Sequence, residues 1–108
     1  MSRDVQAEIK KVIDENTVVL FMKGNPNFPQ CGFSATVSGI LGQISVPYVG
    51  VNVLADPAVR QGIKEYSNWP TIPQLYVAGE FVGGCDITTE LHQTGELQKK
   101  LDSAFSAD

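Results

Sequence analysis

Cysteine 31 stands between a run of turn formers and the start of a helical pattern, in the stretch Lys23-Gly-Asn-Pro-Asn-Phe-Pro-Gln-Cys31-Gly-Phe-Ser34. Sulfur acts as nucleophile or metal ligand only as the thiolate. A cysteine that opens a helix has the free N–H groups of the first turn and the positive end of the helix dipole beside it, and both favour the anion. Cys31 is therefore expected to be reactive, with a pKa below the ordinary value of about 8.5. The second cysteine lies in Gly83-Gly84-Cys85-Asp86. A glycine pair lets a ligand or another backbone come close. Nothing basic adjoins Cys85, so a structural or backbone role is expected there before a redox one.

The elements that must position these residues can be read from periodicity. Val5, Ile9, Val12 and Ile13 fall on one helical face, which predicts an amphipathic helix ending near Asn16. Thr17 to Met22 reads as a strand whose apolar part, Val18 to Met22, is continuous and so buried on both faces. After Ser34, Val37, Ile40, Leu41 and Ile44 mark the next helix; Gly39 and Gly42 weaken it, which points to close packing there. Pro47 opens a strand in which Val49, Val51 and Val53 alternate with polar or small residues. Asp56-Pro57 is an N-cap followed by proline, and Val59, Ile63 and Tyr66 give the buried face of that helix. Trp69-Pro-Thr-Ile-Pro73 ends it. Gln74–Ala78 and Glu80–Gly83 read as a hairpin joined at Gly79. Asp86 is placed to cap a helix from Ile87; Gly95 interrupts it, and Leu97, Leu101 and Phe105 share one side of the final amphipathic segment. The order α-β-α-β-α-β-β-α predicts one domain over residues 1–108, an α/β sandwich with a mixed sheet.

Composition narrows the function. A net charge of -4 and only eight Lys and Arg give no basic surface for nucleic acid. Two cysteines 54 positions apart do not form a secreted disulfide framework, and the N-terminus lacks an apolar leader core. No apolar run is long enough to span a membrane. The expectation is a soluble protein of a reducing compartment, the cytoplasm or a reducing organelle matrix.

Four features in this order, Lys23, Cys31-Gly-Phe-Ser34, Trp69-Pro-Thr-Ile-Pro73 and Gly83-Gly84-Cys85-Asp86, resemble a monothiol glutaredoxin of the CGFS type along essentially the whole chain. The resemblance implies a thioredoxin-like fold, a four-stranded mixed sheet flanked by helices on both faces, with a cis-proline at Pro73. It implies glutathione as partner. Lys23 and Arg60 would pair with its glycine carboxylate, assisted by Lys64. The Ile72 backbone would bind the cysteinyl part, and the N–H groups of Cys85 and Asp86 the γ-glutamyl carboxylate, with the Asp86 side chain on the amino group. Gly84 would leave that approach open.

A dithiol oxidoreductase resolves a mixed disulfide with a second cysteine three positions beyond the first; here that place is Ser34, which cannot attack sulfur. Resolution then falls to an outside thiol such as glutathione, or to Cys85 if the fold brings it near. A 2Fe-2S cluster needs four thiolates and this chain has at most two. The resemblance implies that Cys31 and a bound glutathione, taken twice, hold the cluster between two copies. It also associates the long Lys23-to-Cys31 loop with weak reductase activity and good cluster binding. The implied role is cluster carrier or scaffold, monomeric as apoprotein and dimeric when loaded, serving apo iron-sulfur proteins. Glutathione-dependent removal of glutathione from protein mixed disulfides, or regulation through a BolA-type partner, are the alternatives. Taken alone, Lys23, Arg60 and Lys64 would be surface charges; Trp69 reads as core or turn packing rather than a binding platform, and His92 as a surface residue and not a metal ligand. Phe33 reads as either core or a shield over the thiol.

Overall fold

A strand of five buried residues, β1 (Val18–Met22), runs through the middle of the structure, a computed structural model that describes residues 3–106. Side chains alternate between the faces of a strand, and here they feed two separate cores. Val18, Leu20 and Met22 pack on one face with Val37, Ile40, Leu41, Leu97 and Leu101. Val19 and Phe21 pack on the other with Ile9, Ile13, Val59 and Ile63.

Helices α1 (Val5–Glu15) and α3 (Pro57–Ser67) therefore cover one face of the sheet. The opposite face carries α2 (Gly32–Ile44), α4 (Cys85–Thr94) and α5 (Glu96–Ser106). The sheet order is β4 (Val49–Asn52), β1, β5 (Gln74–Val77) and β6 (Glu80–Gly83). β4 runs parallel to β1, with Val19 opposite Val49 and Met22 opposite Asn52, as the α2 crossover requires. β5 and β6 add antiparallel, joined by Ala78 and Gly79, both at positive φ. This is the expected thioredoxin-like fold with a four-stranded mixed sheet. No helix among the described residues is long and apolar enough to cross a membrane.

Several local expectations need correction. A second, two-stranded sheet of β2 (Gly24–Asn25) and β3 (Phe28–Pro29) lies inside the loop before Cys31. The first strand begins at Val18, and Thr17 lies just before it with its carbonyl accepting from the Ala78 N–H. The interruption expected at Gly95 is present: its φ of 84° ends α4 in the left-handed conformation, and the final amphipathic segment is a helix of its own. Gly84 is the N-cap of α4 and Asp86 sits inside its first turn, so Asp86 does not cap it. Gly39 and Gly42 are exposed, and a Cβ on either would meet nothing within 4 Å, so close packing does not explain them.

Candidate functional site

Cys31 is the N-cap of α2, in extended conformation and without a side-chain capping bond of its own. Its Sγ faces the N–H groups of the first turn. The Ser34 N–H is the main cause that holds the thiol pKa below its ordinary value; the Phe33 N–H, the Lys23 charge and the Ser34 hydroxyl act the same way, against partial desolvation. This is the helix-start effect expected from the sequence. Ser34 itself is fully buried, and its Oγ accepts from the Lys23 N–H at 3.0 Å. The hydroxyl at the position of a resolving thiol thus ties α2 to the end of β1.

The long loop before Cys31 is built rather than slack. Asn25 Oδ1 accepts from the N–H groups of Asn27 (3.1 Å) and Phe28 (2.9 Å), which turns the chain between β2 and β3. Gln30 N–H donates to the Lys23 carbonyl at 2.8 Å and closes the loop at its base. Asn52 Oδ1, at the end of β4, accepts from Gly24 N–H at 3.0 Å and from Leu54 N–H at 2.9 Å. Gly24 has φ 91°, and a Cβ there would fall 2.4 Å from the Phe28 carbonyl and 2.6 Å from the Gln30 nitrogen, so glycine is required. Phe28 and Phe33, on either side of Cys31, are 71% and 62% exposed.

Arg60 and Lys64 come from α3, one turn apart on the same face. Asp56 caps this helix through the N–H groups of Ala58 and Val59, and Pro57 sits at its first position as expected. Arg3 bridges Glu8 of α1 and Asp56, with 2.6 and 2.7 Å contacts, and fixes α1 against the start of α3. Among the described residues, no carboxylate forms an ion pair with Lys23, Arg60 or Lys64. Beyond α3 the chain passes through Asn68 at positive φ into the Trp69–Pro73 segment, where the Ile72–Pro73 peptide is cis. Trp69 tilts against Phe81 with ring centroids 5.6 Å apart.

The fourth wall is the start of α4. Gly83 has φ 151°, and a Cβ on it would strike the Ile87 side chain at 2.7 Å; a Cβ on Gly84 would lie 3.2 Å from the Pro73 carbonyl. The two glycines let α4 begin directly against the cis-proline segment. The first intrahelical bond runs from Thr88 N–H to the Gly84 carbonyl, so the N–H groups of Cys85 and Asp86 have no helical partner. An anion at that end would meet free donors and the positive end of the helix dipole.

These four pieces surround one cavity of about 460 Å³. Its lining includes every residue singled out from the sequence as a site residue: Lys23, Cys31, Phe33, Arg60, Lys64, Ile72, Pro73, Gly84, Cys85 and Asp86. Both cysteines are free and half-buried, and Cys85 also packs on the core beneath α2. Phe33 is at the surface, which removes the core alternative. Trp69, Pro70, Thr71 and Ile87 complete the lining, so the reading of Trp69 as turn packing alone was incomplete. Its position within Trp69-Pro-Thr-Ile-Pro73 was the available signal. His92, half-buried in the last turn of α4, does not line the cavity. Among the described residues no three His, Cys, Asp or Glu side chains group as a metal site. The cavity therefore offers one stabilised thiolate, unpaired cations on one side and free backbone donors on the other.

Known proteins resemble this chain in sequence and in fold. The glutaredoxin family profile matches residues 18–82. A rice protein named monothiol glutaredoxin-S7, chloroplastic, is 54% identical over 105 residues, covering 97% of this chain and 62% of its own length. An uncharacterized monothiol glutaredoxin ycf64-like of Synechocystis is 53% identical over 107 residues, covering 99% of this chain and 100% of its own. The chain spans about three fifths of the length of the chloroplastic relatives in rice and Arabidopsis (62% and 56%). The solution structure of reduced poplar apo GrxS14 superposes with TM-score 0.84 at 51% identity, covering 95% of this chain and 94% of that one. A buckwheat glutaredoxin-glutathione complex superposes with TM-score 0.84 at 20% identity, covering 96% and 93% of the two chains, and shares the fold.

Proposed function

This chain belongs to the glutaredoxin family, in its monothiol branch, and from that premise we propose that it binds reduced glutathione beside Cys31 and, as two copies, carries a 2Fe-2S cluster to apoproteins. The observation that carries the reading is the supply of sulfur. One half-buried, helix-capping thiolate opens on a cavity of the size and charge for a small peptide with two carboxylates, and the position three residues on, where a second thiol would stand, is a buried serine. A cluster of this type takes four thiolates. Cys31 and one glutathione sulfur make half the set, and a second copy makes the rest. The cluster is cargo: half of its ligands would belong to a dissociable peptide, which favours handing it on.

In this reading Lys23, Arg60 and Lys64, none of which is ion-paired among the described residues, hold the glycine carboxylate of glutathione. The Ile72 backbone hydrogen-bonds the cysteinyl part in the manner of an added strand. Cys85 and Asp86 N–H receive the γ-glutamyl carboxylate, and the Asp86 carboxylate its ammonium. Gly84 keeps the approach clear, and exposed Phe33 excludes water from the sulfur side. A buckwheat glutaredoxin that shares the fold was solved as a complex with glutathione, which supports glutathione as the ligand. Such chemistry requires a compartment that keeps thiols reduced, the cytoplasm or an organelle matrix.

The test is anaerobic reconstitution with iron, sulfide and glutathione. A coloured species eluting as a dimer is expected, lost on omitting glutathione and in Cys31→Ser. A colourless monomer in the complete mixture overturns the reading.

Ser34 also favours a second activity. Cys31 thiolate attacks the glutathione sulfur of a protein mixed disulfide, releasing the protein thiolate and leaving Cys31 disulfide-bonded to glutathione. A second glutathione thiolate then attacks that glutathione sulfur, expelling Cys31 thiolate and forming oxidised glutathione. Steady-state deglutathionylation that persists in Cys85→Ser and vanishes in Cys31→Ser is the expected result.

A further inference from the structure

Gln74, the first residue of β5, is fully buried, next to the cis-proline. A carboxamide in such a place must satisfy both of its ends. Its Nε2 donates to two carbonyls, Trp69 at 3.3 Å and Thr71 at 3.2 Å. Two acceptors on one side fix the orientation of the amide, since only the NH₂ can serve them. Its Oε1 accepts from the Tyr76 hydroxyl at 3.1 Å. Burial pushes the Tyr76 phenol up to about 12, so it stays a donor throughout the working range. Tyr76 is in turn held between Phe21, Tyr66 and Phe81.

The carbonyls that Gln74 grips belong to residues lining the cavity. That wall needs a grip. Between Ser67 and Gln74 the chain forms neither helix nor strand, and Pro70 and Pro73 have no N–H to offer. The Trp69 N–H bonds back to Lys64 and Ser67, which secures the entry to the segment. Gln74 secures its middle from beneath.

We propose that Gln74 is a positioning residue of the cavity: through the Trp69 and Thr71 carbonyls it holds the cis-proline wall in the one placement that grips glutathione. The inference rests on the proposed binding of glutathione beside Cys31. Without the grip the wall samples other placements, and apparent affinity falls by the fraction of time spent in the competent one; occupancy of a tenth weakens binding about tenfold.

Three variants separate this role from plain stability. Gln74→Met removes donors and acceptor at similar length. Gln74→Glu keeps an acceptor for Tyr76 but turns oxygen toward two carbonyls; protonation returns one donor. Tyr76→Phe removes only the hydroxyl behind the amide, a mild change that keeps the fold. Affinity for reduced glutathione is measured by NMR titration, with emission of the chain's one tryptophan, Trp69, as a second readout. Relative to wild type at the same pH, Gln74→Met is expected to bind about tenfold more weakly and Tyr76→Phe about twofold to threefold. Gln74→Glu is expected to lose affinity at about pH 8 and regain part of it at about pH 5.5. Trp69 emission should shift to the red in both Gln74 variants. A residue that only supports the fold would lower the melting temperature and leave the affinity of folded protein, and its pH dependence, unchanged. Folded variants that bind like wild type therefore overturn the inference and spare the glutathione reading; wild type that fails to bind glutathione overturns both.

Discussion

Replacing Ser34 with alanine isolates what a hydroxyl does where a dithiol enzyme would carry its second sulfur. Ser34 is fully buried, and its Oγ accepts from the Lys23 N–H at 3.0 Å. Alanine fits the space but offers no acceptor, so a partly buried backbone donor at the end of β1 is left without its protein partner. Such a loss costs about 1–3 kcal/mol. For a domain of this size that is a fall in melting temperature of roughly 5–15 °C. The thiol should respond differently. The largest cause of the lowered Cys31 pKa is the Ser34 backbone N–H, which alanine retains, while the Ser34 hydroxyl is the smallest. Urea unfolding should show a lower midpoint at unchanged slope, while iodoacetamide modification of Cys31 at neutral pH stays within about threefold of wild type. An unchanged midpoint would refute the structural half of the argument. A thiol that titrates like an ordinary cysteine would refute the chemical half, showing that the hydroxyl and not the helix start makes the thiolate.

Other perturbations test separate joints. Gly24→Ala places a Cβ 2.4 Å from the Phe28 carbonyl at φ 91°, and is expected to cost at least about 2 kcal/mol, read by thermal unfolding; an unaltered melt means the loop is not built as described. Arg60→Gln and Lys64→Gln should each weaken glutathione binding about threefold to tenfold and reduce its dependence on salt, whereas equal affinity and salt slope would place the carboxylate elsewhere. Because folding lowers the Cys31 pKa, the thiolate contributes stability above the ordinary thiol range of about 8.5, and that contribution is lost as pH falls through the lowered folded value. Cys31→Ser should flatten that part of the stability profile, and alkylation of wild type should reach half its limiting rate below about pH 8.5.

What the sequence disclosed depended on whether the decisive interaction was local. The uninterrupted run Val18–Met22 announced the central strand because all five positions are buried, and Asp56-Pro57 announced α3 because a cap is complete within four residues. The β2–β3 pair escaped: two-residue strands carry no period, and the turn is set by the Asn25 side chain and by Asn52 from a distant strand. Gly84 displaced Asp86 as the cap of α4 because contact with the Pro73 carbonyl fixes where that helix begins. Gln74 was invisible as a site element, since polarity at the start of a strand reads as surface; only the fold shows that its amide faces three inward partners.

The charge distribution explains how an acidic chain can present a site for an anion. Of the eight cations, Arg3, Lys10 and Lys11 are paired with carboxylates, and Lys99 and Lys100 lie on α5. Lys23, Arg60 and Lys64 remain, and all three line the cavity. Field lines from three unpaired cations converge in a cleft with low-dielectric walls, while the net charge of -4 surrounds it with the opposite sign. A short anion meets only the cleft. In the proposed binding mode, the free N–H groups opening α4 donate to a second carboxylate. Cations, free backbone N–H groups and a thiol lining one cavity suit a ligand with two carboxylates and a sulfur. In the proposed binding mode, a peptide lacking either terminal carboxylate should lose binding at one end only and keep its sulfur near Cys31.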